Sequence, residues 1–404
     1  MGIILVGIGL FLFENRVRKN GSKAALVLNL ALIVYVIFSI ILNDYLQYVY
    51  GWDYGVAGVD LKAHFNGALA LSKGVKIQDL RYVAPRFKMS ISGITYIIYA
   101  VIVQIVSFSP VIVSYRFSLH LMYTLQIMIA ILGADNICRL FPKQNGEYNY
   151  RLLLGIVSCV CVAQQAALLM RDIWVFYLLT LILKDSFDNT KNTAVIVVLS
   201  LICAVLRAYS LIIIIPILMW KYTKKVKWGI ISSGAITGFF LAGQNIIRAF
   251  AVWFGVKWEF GFNYDFVAII RYILFPNIIS QTYNVQHMLT GYHAIFGGNT
   301  EWIYYLLACW NVWIYPLAIY GMYKVFTRRE KKCEGIVWLG QIVNISLLYS
   351  AFYNSVSEPR HKLLIIFGLL YFFNEGIKHI SKKAMAVYSY AVIIFLLGVF
   401  LAVG

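Results

Sequence analysis

With 404 residues, 61% of them hydrophobic and 13% charged, and a mean hydropathy of +0.76, the chain is too apolar for an ordinary soluble fold, which is about one-quarter charged. A net charge of +18 would point a soluble protein toward nucleic acid. Here much of the excess sits in short loops between apolar runs, where it sets membrane topology and meets anionic headgroups. The runs are helix-length rather than alternating short segments, which excludes a β-barrel.

The expected fold class is all-α: a polytopic transmembrane helical protein of about twelve spans, forming one integral-membrane domain over residues 1–404. Residues 2–13 are apolar and are followed by charge rather than by a cleavage site, so they read as an anchor. The next loop carries Arg16, Arg18, Lys19 and Lys23 and is assigned to the cytoplasm. Residues 25–43 then cross outward and deliver the longest polar interval of the chain, Asn43–Ser92. It holds Asp44, Asp53, Asp60 and Asp79, in a chain with only 17 acidic residues, so it is the natural place for chemistry.

The apolar stretch 93–108 decides the topology. If it crosses, KYTKKVK and every later lysine-rich loop fall outside, against the positive-inside rule. It is therefore expected to lie at the membrane surface or re-enter, which extends the first extracytoplasmic loop over 44–111 with juxtamembrane helices. The later spans are expected at 112–134, 152–170, 172–184, 193–207, 209–220 and 228–248. A second large outer loop covers 249–300, where 264–285 reads as a surface-lying helix because Arg271 and Pro276 interrupt it. Spans at 301–324, 334–353, 361–376 and 384–403 complete the chain.

This orientation leaves an unusual set of charges outside. Asp60 and His64, in DLKAH, share a helix face at i and i+4. Arg81 and Arg86 follow; Arg171 and Asp172 sit in LLMRDIWVF, Arg207 in AVLRAYS, Arg248 at a span end and Arg271 in the second loop. Arg360 and His361 lie in SEPRHK. Arginines at short outer turns run against the topological bias, so each needs an anionic partner, and a planar guanidinium suits phosphate or carboxylate. Asp60 and Asp172 are the carboxylates placed to act as a general base or to hold a divalent cation. The plainer readings are a helix N-cap for either, or a salt bridge from Asp172 to Arg171. No histidine pair has zinc spacing, the six cysteines are scattered, and no P-loop, GxSxG, CxxC or HExxH occurs.

This layout resembles the GT-C class of integral-membrane glycosyltransferases. Those proteins carry an acidic residue in a large first outer loop with juxtamembrane helices, and a second at the next outer turn. Asp60 and Asp172 would take these places. The arginine-rich outer turns and SEPRHK also look like bacterial polysaccharide polymerases of the Wzy and EpsG type. The sequence departs from the class in having VDL where a paired acidic motif is frequent, which leaves metal dependence open.

The resemblance implies a bacterial inner-membrane enzyme that transfers a sugar or oligosaccharide from a polyprenyl-phosphate or -pyrophosphate donor to a saccharide acceptor at the extracytoplasmic face. Asp60 or Asp172 would be catalytic. Arg81, Arg86, Arg171, Arg207, Arg248, Arg271, Arg360, His64 and His361 would bind substrate and phosphate, with membrane lipids and no nucleic acid as partners. The competing expectation is a flippase of lipid-linked saccharide, which would line its path with mid-membrane polar groups such as Gln164, Gln165, Gln244, Asn245 and Gln341. An assembly scaffold would leave the outer arginines without a purpose.

Overall fold

The computed structural model describes residues 1–50, 58–87, 91–108, 114–142, 148–187, 193–242, 301–353 and 363–403, and among these the chain is helical with no strand. The first stretch forms α1 (Gly2–Arg18) and α2 (Ser22–Tyr50). Next come α3 (Gly58–Ser72), α4 (Leu80–Val83), α5 (Ile91–Ser107) and α6 (Tyr115–Leu140). The short helices α7 (Tyr150–Val157) and α8 (Val160–Ala166) lead to α9 (Asp172–Phe187) and α10 (Thr193–Leu206). After α11 (Leu211–Thr223) and α12 (Val226–Ala242) come α13 (Glu301–Thr327), α14 (Lys332–Tyr353), α15 (Ile366–Ile377) and α16 (Lys382–Val403).

Helices thus stand at the expected positions, with three differences. The polar interval does not begin at Asn43, because α2 continues to Tyr50. The apolar run 152–170 is not one rod. It breaks between α7 and α8, where the Cys159 amide donates to the Ile156 carbonyl three residues back at 3.0 Å instead of continuing the four-residue ladder. By length and hydropathy, Ser22–Tyr45 and Arg116–Leu140 are long and apolar enough to cross a membrane, and the apolar helices at 93–107, 193–206, 208–223, 226–241 and 366–377 are shorter. The expected surface helix at 264–285 lies outside the described residues.

The chain divides into two compact units. The first comprises Met1–Ile137, Val162–Ile182 and Asn192–Ala208, and it contains every candidate site residue that is described. Its first loop is a small folded platform. α3 ends where Gly74, at φ +86°, lets the Val75 amide turn back to the Ala70 carbonyl at 3.0 Å. α4 and the turn Pro85–Phe87 then fold under α3, and Ala63, Leu80, Phe87, Tyr96 and Ala100 form a buried apolar cluster that fixes α3 on α5. Away from this platform a polar clasp joins α1 to α6: Asn20 donates to Asp135 at 2.6 Å, and Arg16 lies 3.6 Å from the same carboxylate.

The second unit comprises Cys138–Cys161, Leu183–Lys191 and Tyr209–Gly404. Its helices are tied by polar side chains buried among apolar ones. Asn149 donates to Asn374 at 2.7 Å, Trp310 to the Gly155 carbonyl at 2.8 Å, and Thr237 to Asn344 at 2.6 Å. Glu375 is clamped by Lys331 at 2.6 Å and Lys378 at 2.7 Å, and Trp338 stacks on Tyr371 at 5.3 Å.

Candidate active site

Four segments of the first unit bring charge to one place. α3 supplies Asp60 in its first turn and His64 one turn later, so both project from one face, as their spacing requires. α5 supplies Thr95, Tyr96 and Tyr99, also about one turn apart. The His64 ring lies between the two tyrosines, stacked on Tyr96 at 4.8 Å and edge-on to Tyr99 at 4.6 Å. The Tyr96 hydroxyl donates to Asp60 Oδ1 at 2.8 Å, and Arg86 Nε approaches the same oxygen at 3.5 Å.

The start of α9 and the end of α10 supply the rest. Arg171 is buried; it donates to Thr95 Oγ1, and its guanidinium lies 4.5 Å over the Tyr96 ring. Asp172 is gripped in bidentate fashion by Arg207, with Nε to Oδ1 at 2.9 Å and Nη2 to Oδ2 at 2.8 Å. Thus Asp172 pairs with Arg207 across 35 positions. The turn that presents Arg171 is held from two sides. Gln126 of α6 donates to the Leu168 carbonyl at 3.1 Å and to that of Met170 at 3.0 Å, and Asn43 of α2 donates to the Ala167 carbonyl at 3.0 Å.

Among the described residues, three arginines (Arg86, Arg171, Arg207) face two carboxylates (Asp60, Asp172), an excess of one positive charge. His64 adds none at neutral pH. Burial, with the Arg171 charge as the next cause, pushes its imidazolium down to about 3, and its Nδ1 has no hydrogen-bond partner. A place with net positive charge, low solvent access and two carboxylates can hold an anionic group and accept a proton.

Asp60, His64, Arg86, Arg171, Asp172 and Arg207 therefore come together. Arg81 does not join them: it is exposed, with its guanidinium 4.7 Å from the Tyr82 ring. Arg248, Arg271, Arg360 and His361 lie outside the described residues. Among the described residues no three His, Cys, Asp or Glu side chains are grouped to hold a metal ion, and both site carboxylates are engaged by guanidinium groups. Sequence reading missed Thr95, Tyr96, Tyr99, Gln126 and Asn43. The available signal was tyrosines at helical spacing in the run expected to lie at the membrane surface, and amides inside otherwise apolar helices.

No protein-family model, curated protein or solved structure matches this chain.

Proposed function

We propose that the chain is an integral-membrane glycosyltransferase similar in layout to the GT-C class and the bacterial polysaccharide polymerases. It acts at the extracytoplasmic face of a bacterial inner membrane on a polyprenyl-phosphate- or pyrophosphate-linked donor. The observation that carries the reading is the convergence of Asp60, Arg86, Arg171, Asp172 and Arg207 from distant parts of the sequence. The membrane setting is supported by apolar faces turned outward: Phe11 on α1 is 70% exposed, Leu26 on α2 61%, Leu201 on α10 61% and Ile394 on α16 68%. Together with the basic short loops, these faces favour about twelve crossings, with 93–108 at the surface.

In this reading Asp60 takes the proton of the acceptor hydroxyl as its oxygen bonds to the anomeric carbon of the donor sugar. The bond from that carbon to the lipid phosphate breaks, and the electron pair leaves with the phosphate oxygen. Arg171 and Arg86 stabilise the charge that grows there. Arg207 and Asp172 fix each other, and through them the ends of α9 and α10. The deciding experiment is purification of Asp60→Asn with incubation on a defined lipid-linked sugar, scored for a new glycosidic bond. The expected result is no product from a folded protein; full activity would overturn the proposal. A variant that moves lipid-linked sugar between leaflets while the wild type forms no bond would favour a flippase.

A further inference from the structure

Among the described residues, Arg81 alone of the expected binding set stands apart from the charged cluster, and the segment that carries it has a chemistry of its own. Residues 73–82 form a hook that leads from the end of α3 into α4. Its backbone is held in place. Gly74 turns the chain at φ +86°, the Asp79 amide donates to the Lys76 carbonyl at 2.9 Å, and the Ala84 amide donates to the Leu80 carbonyl at 3.3 Å. By helical spacing Ile77, Gln78, Arg81 and Tyr82 fall on one side of the turn Ile77–Asp79 and α4. All four are exposed, while Leu80 on the other side is fully buried in the platform. Ile77 is 53% exposed and Tyr82 76%, beside the exposed cations Lys73, Lys76 and Arg81. Asp79 is the only acidic residue of the hook, so three basic side chains against one leave it positive.

An isoleucine and a tyrosine held out between cations on an ordered backbone match a lipid–water boundary. The aliphatic tip enters the acyl margin, the phenol stays at headgroup level and the cations meet phosphate. A soluble acidic saccharide could use the cations, but an isoleucine offers its hydroxyls no hydrogen bond. α5, packed on the same platform, also turns Ile94, Ile98 and Ile105 outward along one face. We propose that the hook 73–82 docks on anionic phospholipid headgroups of the leaflet on the side of the candidate site. The inference rests on the membrane setting of the proposed function and not on its sugar chemistry. Its consequence for the site is depth. α4 runs on to the turn Pro85–Phe87, where Phe87 is buried in the platform and Arg86 meets Asp60. A hook seated on headgroup phosphates therefore holds Asp60 and Arg86 near the level at which a lipid phosphate lies.

The test places a nitroxide at Tyr82→Cys in the full chain carrying Cys333→Ser, in nanodiscs of phosphatidylcholine alone or with phosphatidylglycerol added. The Cys333→Ser chain without the new cysteine supplies the background. Two-component EPR spectra, with oxygen and a nickel chelate as relaxants, give the ratio of lipid-seated to aqueous label. With phosphatidylglycerol the seated form is expected to dominate. Lys73→Gln, Lys76→Gln and Arg81→Gln are each expected to lower the ratio roughly fivefold, the equivalent of about 1 kcal/mol per cation. All three side chains are exposed, so these variants leave the packed side of the platform intact. A label that stays in water in both bilayers, as for a surface that takes a soluble saccharide or protein, overturns the proposal. So does a label seated equally with and without phosphatidylglycerol, or a ratio that the three substitutions do not move. The glycosyltransferase reading fails separately, if Asp60→Asn keeps full transfer activity whether or not the hook is seated.

Discussion

The two carboxylate–arginine pairs of the site should respond very differently to mutation, and the difference can be worked out from their surroundings. Asp172 and Arg207 are bidentate at 2.8–2.9 Å with side chains 9% and 13% exposed. Removing one partner of such a pair strands a desolvated charge, which costs about 3–5 kcal/mol. Asp60 and Arg86 meet at 3.5 Å with side chains 18% and 51% exposed, a geometry worth at most about 1 kcal/mol. Arg207→Ala is therefore expected to lower unfolding free energy in mixed micelles several-fold more than Arg86→Ala. Adding Asp172→Asn to Arg207→Ala should recover much of the loss, because it removes the stranded charge. A double-mutant cycle should give a coupling of about 2 kcal/mol or more. If Arg207→Ala is as mild as Arg86→Ala, or if the double variant is as unstable as the two single losses added together, then the pair is not the buried pin described above.

Three further outcomes follow from other parts of the first unit. His64 binds a proton near 6.5 when unfolded and only near 3 when folded, so the unfolded chain holds more protons in that window. Stability should be complete above pH 6.5, fall by about 2 kcal/mol at pH 5 and keep falling toward pH 3, while His64→Phe flattens this profile; an unchanged profile would refute the assignment. A methyl group at Gly67 would overlap the buried Phe87 ring and lie 3.2 Å from Ala100 Cβ, so Gly67→Ala should cost about 1–3 kcal/mol and disturb the Arg86 turn, with partial rescue by Phe87→Leu; equal melting of Gly67→Ala and wild type would count against the packing. Cys333 is exposed in the first turn of α14, which the proposed orientation puts at the cytoplasmic face, so a membrane-impermeant maleimide should label it only after cells are permeabilised; labelling in intact cells would invert the orientation and move the site to the other face.

Much of the charged half of the candidate site was legible because, in the expected orientation, its residues run against the positive-inside rule. Arginines at tight turns expected outside are conspicuous, and DLKAH places Asp60 and His64 on one face by helical spacing alone. The partner of Asp172 was not legible. Adjacent Arg171 offers a local partner and no spacing marks the distant one, the fork of Arg207 at the end of α10 that meets the carboxylate opening α9. Tyr96 and Tyr99 were hidden by context: in a run of apolar residues a tyrosine reads as interface belt, and only the position of α3 shows that these two bracket His64. The supports Gln126 and Asn43 are invisible for a similar reason, since their targets are carbonyls more than 40 positions away that composition does not mark. The break between α7 and α8 falls at Ser158 and Cys159 inside an apolar stretch whose hydropathy carries no mark of it.

In the proposed transfer, the choice between the two carboxylates as base follows from the same geometry. Both Asp172 oxygens are occupied by one guanidinium in a nearly dry setting, where protonation would break the pair that holds the ends of α9 and α10. Asp60 is twice as exposed, and its arginine is half open to solvent, so the acid can gain a proton without dismantling the fold. That step also changes the charge of the site. Three arginines against two carboxylates leave one positive charge before reaction; once Asp60 is protonated the excess is two. In the proposed transfer this rise coincides with the growth of negative charge on the departing lipid phosphate. Arg171, whose guanidinium lies over the ring that hydrogen-bonds Asp60, stands where the two events meet. Proton acceptance and leaving-group stabilisation would thus be coupled through Tyr96, and Tyr96→Phe should lower the rate of bond formation more than it lowers affinity for the donor.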